Sequence, residues 1–407
     1  MIQIKTILLF VMALTVSLQA LTAFPMKLTV QRGDTLSFTP FVKGWDSTVT
    51  SVDVRLSTPA NGTVRFIPEW FDSNSYYKSA MAAARTAPKG FPGLFYVPKS
   101  GFTGLDSFTY RIVTSADSTE TVQCLVRVTP PEASGMTVLL VVNNSVYPSI
   151  QPEVERLKTD LINEGYSSRI IPFTVPAVWS QTDAKAIWDT LSREYDNRTR
   201  MLAGAILIGQ MPFYKSSKDN FPKESTLVKM SAYWSMTKWE GDLEADSTII
   251  GYRVNRGTYG GTHYTPGFLN IWVSNMNGAN VPQLGTETEL LKRVLQTNHE
   301  YRTGICRYPH TAWVYDQYPI NNNGGVGMDA RRFLKIWPSY SVHAAGDSIN
   351  HPFKYEYKSG GELWQINQHS SATQYYTIYK YYSGIKVWRY TTGTEFYNTI
   401  FPFRFLL

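Results

Sequence analysis

The sequence predicts a multidomain chain: an N-terminal β-sandwich followed by an α/β domain with a mostly parallel sheet. Three observations predict it. Two-residue alternation of apolar and polar side chains fills residues 24–130. The stretch from Pro130 to Gly135 breaks that rhythm, so a linker is set at 131–135. Beyond it, apolar strands alternate with amphipathic helices, the pattern of βαβαβ units and a parallel sheet. With 407 residues, 43% of them hydrophobic, the chain can bury real cores, which argues against disorder.

The first residues read as an export signal, assigned to 1–23. Lys5 precedes an apolar run from Ile7 to Leu14, and small and polar residues lead to Ala20 and Ala23, the two expected cleavage points. That run is too short to span a bilayer and no later stretch is long enough, so no stable membrane span is expected. The expected location is extracellular or cell-surface, in association with the envelope. The net charge of +7 is carried by no long Lys/Arg run, so nucleic acid is not an expected partner. Cys124 and Cys306 fall in different predicted domains and make no disulfide scaffold.

In the β part, Leu28-Thr29-Val30, Val52 to Leu56 and Thr121 to Val128 alternate, and Asn61-Gly62 is a turn before the strand Thr63 to Phe66. Phe108, Tyr110 and Ile112 share one strand face, with Gly104 and Asp106 expected to shape the turn before it. The segments Pro59 to Val64 and Tyr96, Pro98, Gly101, Phe102, Gly104, Asp106, Ser107, Phe108, Tyr110 resemble bacterial Ig-like, cadherin-like modules. That resemblance implies a spacer or adhesive unit at 24–130, expected to fold alone.

In the α/β part, Thr137 to Val142, Ser168 to Phe173 and Ala203 to Gly209 read as buried strands, with helices at Pro152–Tyr166 and Thr182–Tyr195 between them. After an aromatic, Gly-rich stretch, Phe268 to Val273 reads as a strand. Thr286 and Glu289 form a capping box that opens a helix closed by Gly304. Thr311 to Tyr315, Leu363 to Gln368 and the final residues from Phe403 read as further strands, and no internal repeat is visible.

Residues 136–407 resemble the gingipain-like peptidases, a caspase-like (clan CD) family. The residues that carry the likeness are the Val-Leu-Leu-Val-Val-Asn strand, the Gly-Ala-Ile-Leu-Ile-Gly strand, Asn270 to Val273, the helix ending Tyr301-Arg302-Thr303-Gly304, and Trp364 to Ser371. The resemblance implies a caspase-like domain, incomplete at its C-terminus, in a secreted or cell-surface cysteine endopeptidase acting on protein or peptide substrates. His369 would be catalytic, with the small Ser370 and Ser371 letting a substrate backbone approach. The nucleophilic Cys is expected beyond Leu407, so residues 24–407 are expected to lack peptidase activity. Val273-Ser274-Asn275 and Gln210 depart from the family pattern. A non-catalytic surface or adhesion protein on the same scaffold, or a sortase-like processing enzyme of a secretion system, is the alternative. No cofactor is required. Asp242, Glu244 and Asp246 alternate as calcium ligands do, with a solvated acidic loop as the competing reading. His343, Asp347 and His351 are spaced four apart, but Gly346, Pro338 and Pro352 favour a loop there.

Overall fold

The computed structural model describes residues 20–45, 51–67, 93–131, 135–214, 233–246, 249–250, 253–258, 261–266, 270–279, 282 and 285–305, then the backbone strands 311–316, 339–344, 364–368, 375–382, 385–392 and 403–406.

The N-terminal unit contains β1 (Thr22–Ala23), β2 (Met26–Gln31), β3 (Leu36–Phe38), β4 (Val42–Lys43), β5 (Val52–Leu56), β6 (Gly62–Ile67), β7 (Gly93–Pro98), β8 (Gly104–Thr114) and β9 (Val122–Thr129). One sheet runs β2-β9-β8-β5, the other β3-β7-β6. Strand alternation delivers Leu28, Phe108, Tyr110, Ile112 and Val126 from the first sheet, and Phe38, Leu94 and Tyr96 from the second, into one apolar core.

Asp106 corrects the sequence reading. It lies inside β8, not in the turn before it, and is buried. Its carboxylate accepts from the backbone N–H of Ala60 at 3.1 Å and Asn61 at 3.0 Å, and from the Tyr96 hydroxyl at 2.7 Å. Burial first, and Asp106 second, push the Tyr96 phenol well above its ordinary pKa. Gly62 is required beside this group, because a Cβ there would meet the Tyr96 ring at 2.5 Å. The Asn-Gly turn, the Tyr and the Asp picked out in the sequence are thus one hydrogen-bonded cluster.

The next unit is β10 (Met136–Asn143), α1 (Tyr147–Asn163), β11 (Ser167–Phe173), α2 (Gln181–Asp196), β12 (Met201–Ile208), α3 (Glu240–Ala245), β13 (Ile249–Ile250), β14 (Arg253–Thr258), β15 (Gly261–Pro266), β16 (Trp272–Met276) and α4 (Glu287–Arg302). Four of these strands form an all-parallel sheet in the order β11-β10-β12-β16. Its central strand is buried on both faces, as its apolar run requires. Val138, Leu140 and Val142 pack with Ile150, Val154 and Leu157 of α1 and Leu291 and Leu295 of α4. Leu139 and Val141 pack with Ile187 and Leu191 of α2 on the other side.

Two boundaries move. The first helix, expected from Pro152, begins at Tyr147, with Pro148 in its opening turn and Pro152 inside it. Strand β16 begins at Trp272, later than expected. Asn270 is held in a bend, where its N–H donates to the Trp234 carbonyl at 2.8 Å and its side chain is engaged elsewhere.

The remaining strands are β17 (Thr311–Asp316), β18 (Ser339–Ala344), β19 (Trp364–Gln368), β20 (Tyr375–Tyr382), β21 (Ile385–Thr392) and β22 (Phe403–Leu406). They contain a second all-parallel sheet, in the order β18-β17-β19-β22. Numbered along the chain, both parallel sheets run second, first, third, fourth. The single sheet expected over 136–407 is therefore two sheets of the same topology, a repeat carried by unlike sequences. His343, expected in a loop, lies in β18. Among the described residues no helix is long and apolar enough to cross a membrane.

Candidate functional site

In an open parallel sheet, ligands bind beyond the carboxyl ends of the strands, where strand order reverses. In the first sheet that point lies between β10 and β12, and it is sealed. Asn143 ends β10; its side-chain amide donates to the Gln210 carbonyl at 2.7 Å, and its side-chain oxygen accepts from Ser145 N–H at 2.9 Å. Gly209 follows β12 with φ 89°, and a Cβ there would meet Val146 at 2.9 Å and Asn143 at 3.0 Å. Glu287, at the start of α4, accepts from the backbone N–H groups of Gln210 and Gly278, joining the ends of β12 and β16 to the helix. Partial burial nevertheless raises its pKa. Gln210 therefore serves as a backbone anchor in this closure.

The second sheet has its corresponding point at the ends of β17 and β19. Strand β19 ends at Gln368, and its neighbour β22 runs parallel with Ile366 opposite Phe405 and Asn367 opposite Leu406. His369, Ser370 and Ser371 directly follow Gln368 in the sequence and lie outside the described residues, as do Cys306, Asp347 and His351.

Cys124 is free and fully buried in β9, and burial pushes its thiol well above the ordinary value. A thiolate is disfavoured there, which removes Cys124 as a nucleophile. Asp242 lies in α3 and Asp246 is the residue that caps its C-terminus, so this segment is a short helix and its end, not an extended loop. The Asp246 carboxylate is taken by the Lys43 ammonium at 2.7 Å. Among the described residues no group of three or more His, Cys, Asp or Glu side chains is arranged to hold a metal.

The sequence reading missed a polar joint between the two units. Arg127 of β9 is buried, and its guanidinium donates to the carbonyls of Tyr195 and Arg200 at and just beyond the C-terminus of α2, and lies 4.4 Å from the Tyr195 ring centroid. A cation there meets the negative end of the helix dipole. The Tyr195 hydroxyl donates to the Leu28 carbonyl at 3.1 Å. The Asn270 amide donates to the Lys27 carbonyl at 2.8 Å and its oxygen accepts from Met236 N–H at 2.7 Å. The Lys27 ammonium pairs with the Asp196 carboxylate at 2.6 Å. Beside this joint, at the amino ends of the first sheet's strands, lies a cavity of about 470 Å³ walled by Tyr166, Trp234 and Trp272 with Thr29 and Asn270. A basic residue in the outward register of an apolar strand was the available signal for Arg127. Alternation alone placed it in solvent, because what covers a sheet's outer face is not written in that strand.

Neither a family model nor a curated protein matches the chain. Among solved structures it is similar to one described only as a protease, at 11% identity and TM-score 0.35, covering 60% of this chain and 46% of that one. It is also similar to the Yersinia pseudotuberculosis adhesin InvE, at 15% identity and TM-score 0.16, covering 30% of each chain. A third is a cohesin–dockerin complex from Clostridium thermocellum, at 7% identity and TM-score 0.18, covering 27% of this chain and 100% of that one. The chain thus spans less than half the length of the protease structure, and at these values none of the three fixes an activity.

Proposed function

We propose that the chain is the front part of an exported, gingipain-like cysteine endopeptidase, whose chemistry belongs to the second parallel sheet. One observation carries this reading: β19 and β22 are parallel neighbours, with Asn367 opposite Leu406, so the segments that follow them leave the same sheet edge side by side. His369 follows β19 by one residue. In the family the chain resembles, the His and the nucleophilic Cys come from two such adjacent strand ends. Among the described residues, the closure of the first sheet's carboxyl edge around Asn143 and Gly209 favours the same assignment.

In this reading the His369 imidazole takes the thiol proton from a Cys that follows β22. The thiolate attacks the peptide carbonyl, and the imidazolium protonates the leaving amine. Ser370 and Ser371 leave room for the substrate backbone. The N-terminal unit is an Ig-like module fixed to the scaffold by the Arg127 and Asn270 contacts, and substrates are proteins or peptides met outside the cell. Reading the coding sequence past Leu407 tests the proposal. A Cys within the first few codons, alkylated by an iodoacetamide probe in the purified protein, supports it. A stop or another residue there makes the α/β unit a non-catalytic scaffold.

A further inference from the structure

The beginning of the folded chain carries information about processing. Two alanines, Ala20 and Ala23, suit cleavage of an export signal, and they stand in different structural settings. Ala20 is exposed. Leu21 and Ala23 are each only 6% exposed and belong to the apolar core of the N-terminal unit. Thr22 and Ala23 form β1, which pairs with Lys43 and Val42 of β4. Strand β4 in turn pairs on its other side with Ile250 and Ile249 of β13, which comes from the α/β half of the chain. Removing residues up to Ala23 would strip β1 from that three-stranded sheet, empty the Leu21 site and leave one edge of β4 unpaired.

The backbone nitrogen of Leu21 lies 2.9 Å from Asp117 Oδ2, and the other oxygen of the same carboxylate accepts from Ser118 N–H at 2.7 Å. Those two backbone N–H bonds hold the Asp117 carboxyl below its usual range, so it is charged at neutral pH. Within an uncleaved chain the Leu21 nitrogen is a neutral amide. Hydrolysis of the Ala20–Leu21 bond adds water across it, leaving a carboxylate on Ala20 and an α-ammonium on Leu21. The same 2.9 Å contact then becomes an ion pair.

We propose that the precursor is cut between Ala20 and Leu21, and that the new α-ammonium of Leu21 is held by Asp117 as the anchored N-terminus of the mature chain. This rests on the exported reading above. Cleavage then strengthens a contact the fold already has: a neutral donor facing Asp117 is replaced by a charged one, with β1 already in place.

The test is the intact mass and N-terminal sequence of the protein recovered from cells that export it, followed by reductive dimethylation of its α-amine at pH 7 in wild type and Asp117→Asn. The expected first residue is Leu21. The expected labelling is roughly two- to fivefold slower in wild type than in Asp117→Asn, because the nearby carboxylate holds the amine in its unreactive charged form. A chain beginning at Phe24 would overturn the processing site while leaving export intact. A chain still carrying residues 1–19 would instead remove the exported reading. Equal labelling rates in the two proteins, with Leu21 first, would overturn the ion pair.

Discussion

At Asp106 a carboxylate sits among apolar side chains with three donors from other segments, the N–H groups of Ala60 and Asn61 and the Tyr96 hydroxyl, besides the N–H of the adjacent Ser107. Asp106→Ala leaves all three without their acceptor, an expected loss of about 2–4 kcal/mol in denaturant unfolding. A loss under about 0.5 kcal/mol would show that water replaces the carboxylate. The acids that cap helices tie stability to pH. Asp183 accepts from the Ser180 N–H at 2.7 Å, and Glu289 from the Thr286 N–H at 2.8 Å. Both carboxyls are held below their ordinary values of 3.8 and 4.5. A depressed folded-state pKa gives stability that is present above the unfolded value and is lost as pH falls through the folded one. The first turns of α2 and α4 should therefore fray below about pH 4 in amide-exchange measurements, and not between pH 5 and 7. The capping box of Thr286 and Glu289 was legible in the sequence because it is a local pattern. The Asp106 cluster was legible only as a set of residues, since its contacts to Asn61 and Ala60 join positions 45 and 46 apart in the chain.

Elements with one dominant local cause matched their reading: the alternating strands of the N-terminal unit, the unbroken apolar run of β10, and the amphipathic helix α2. Elements set by distant partners did not. Strand β16 starts after Asn270 because that residue is tied to Lys27, Trp234 and Met236. Residues 24–130 were expected to fold as a free-standing sandwich, yet Leu243 and Ile249 from the α/β half belong to its core, and β13 extends the sheet of β4. A 24–130 fragment should melt at lower temperature than the same unit within the whole chain, and should bind a hydrophobic dye at the surface left by Leu243 and Ile249. Equal melting temperatures would show that these contacts add nothing. Across the same joint, Arg127→Ala leaves the Tyr195 and Arg200 carbonyls without their donor, for an expected loss of about 1–3 kcal/mol. Retained stability would show that solvent reaches that helix end.

At the scale of the molecule, the unexpected feature is that one strand order is used twice. The first sheet closes its carboxyl edge with Asn143, Gly209 and Glu287. The second places β19 and β22 side by side. No repeat was visible in the sequence because topology is set by which runs are apolar and how long the crossovers are, and neither demands the same residues twice. The likeness that singled out His369 rested on one strand and the residues after it, so it pointed to a position without revealing that the strand before it, β19, belongs to a second sheet. In the proposed function, peptide hydrolysis depends on His369. Its most direct measurement is turnover of fluorogenic peptides with Arg, Lys and neutral residues before the scissile bond, using the protein purified from the cells that make it, in wild type and His369→Ala forms, with residues 24–407 assayed alongside. Turnover is expected in the wild type, with a fall of about 10²-fold or more in His369→Ala and none in 24–407. Turnover that survives His369→Ala, or that 24–407 supports by itself, would contradict it.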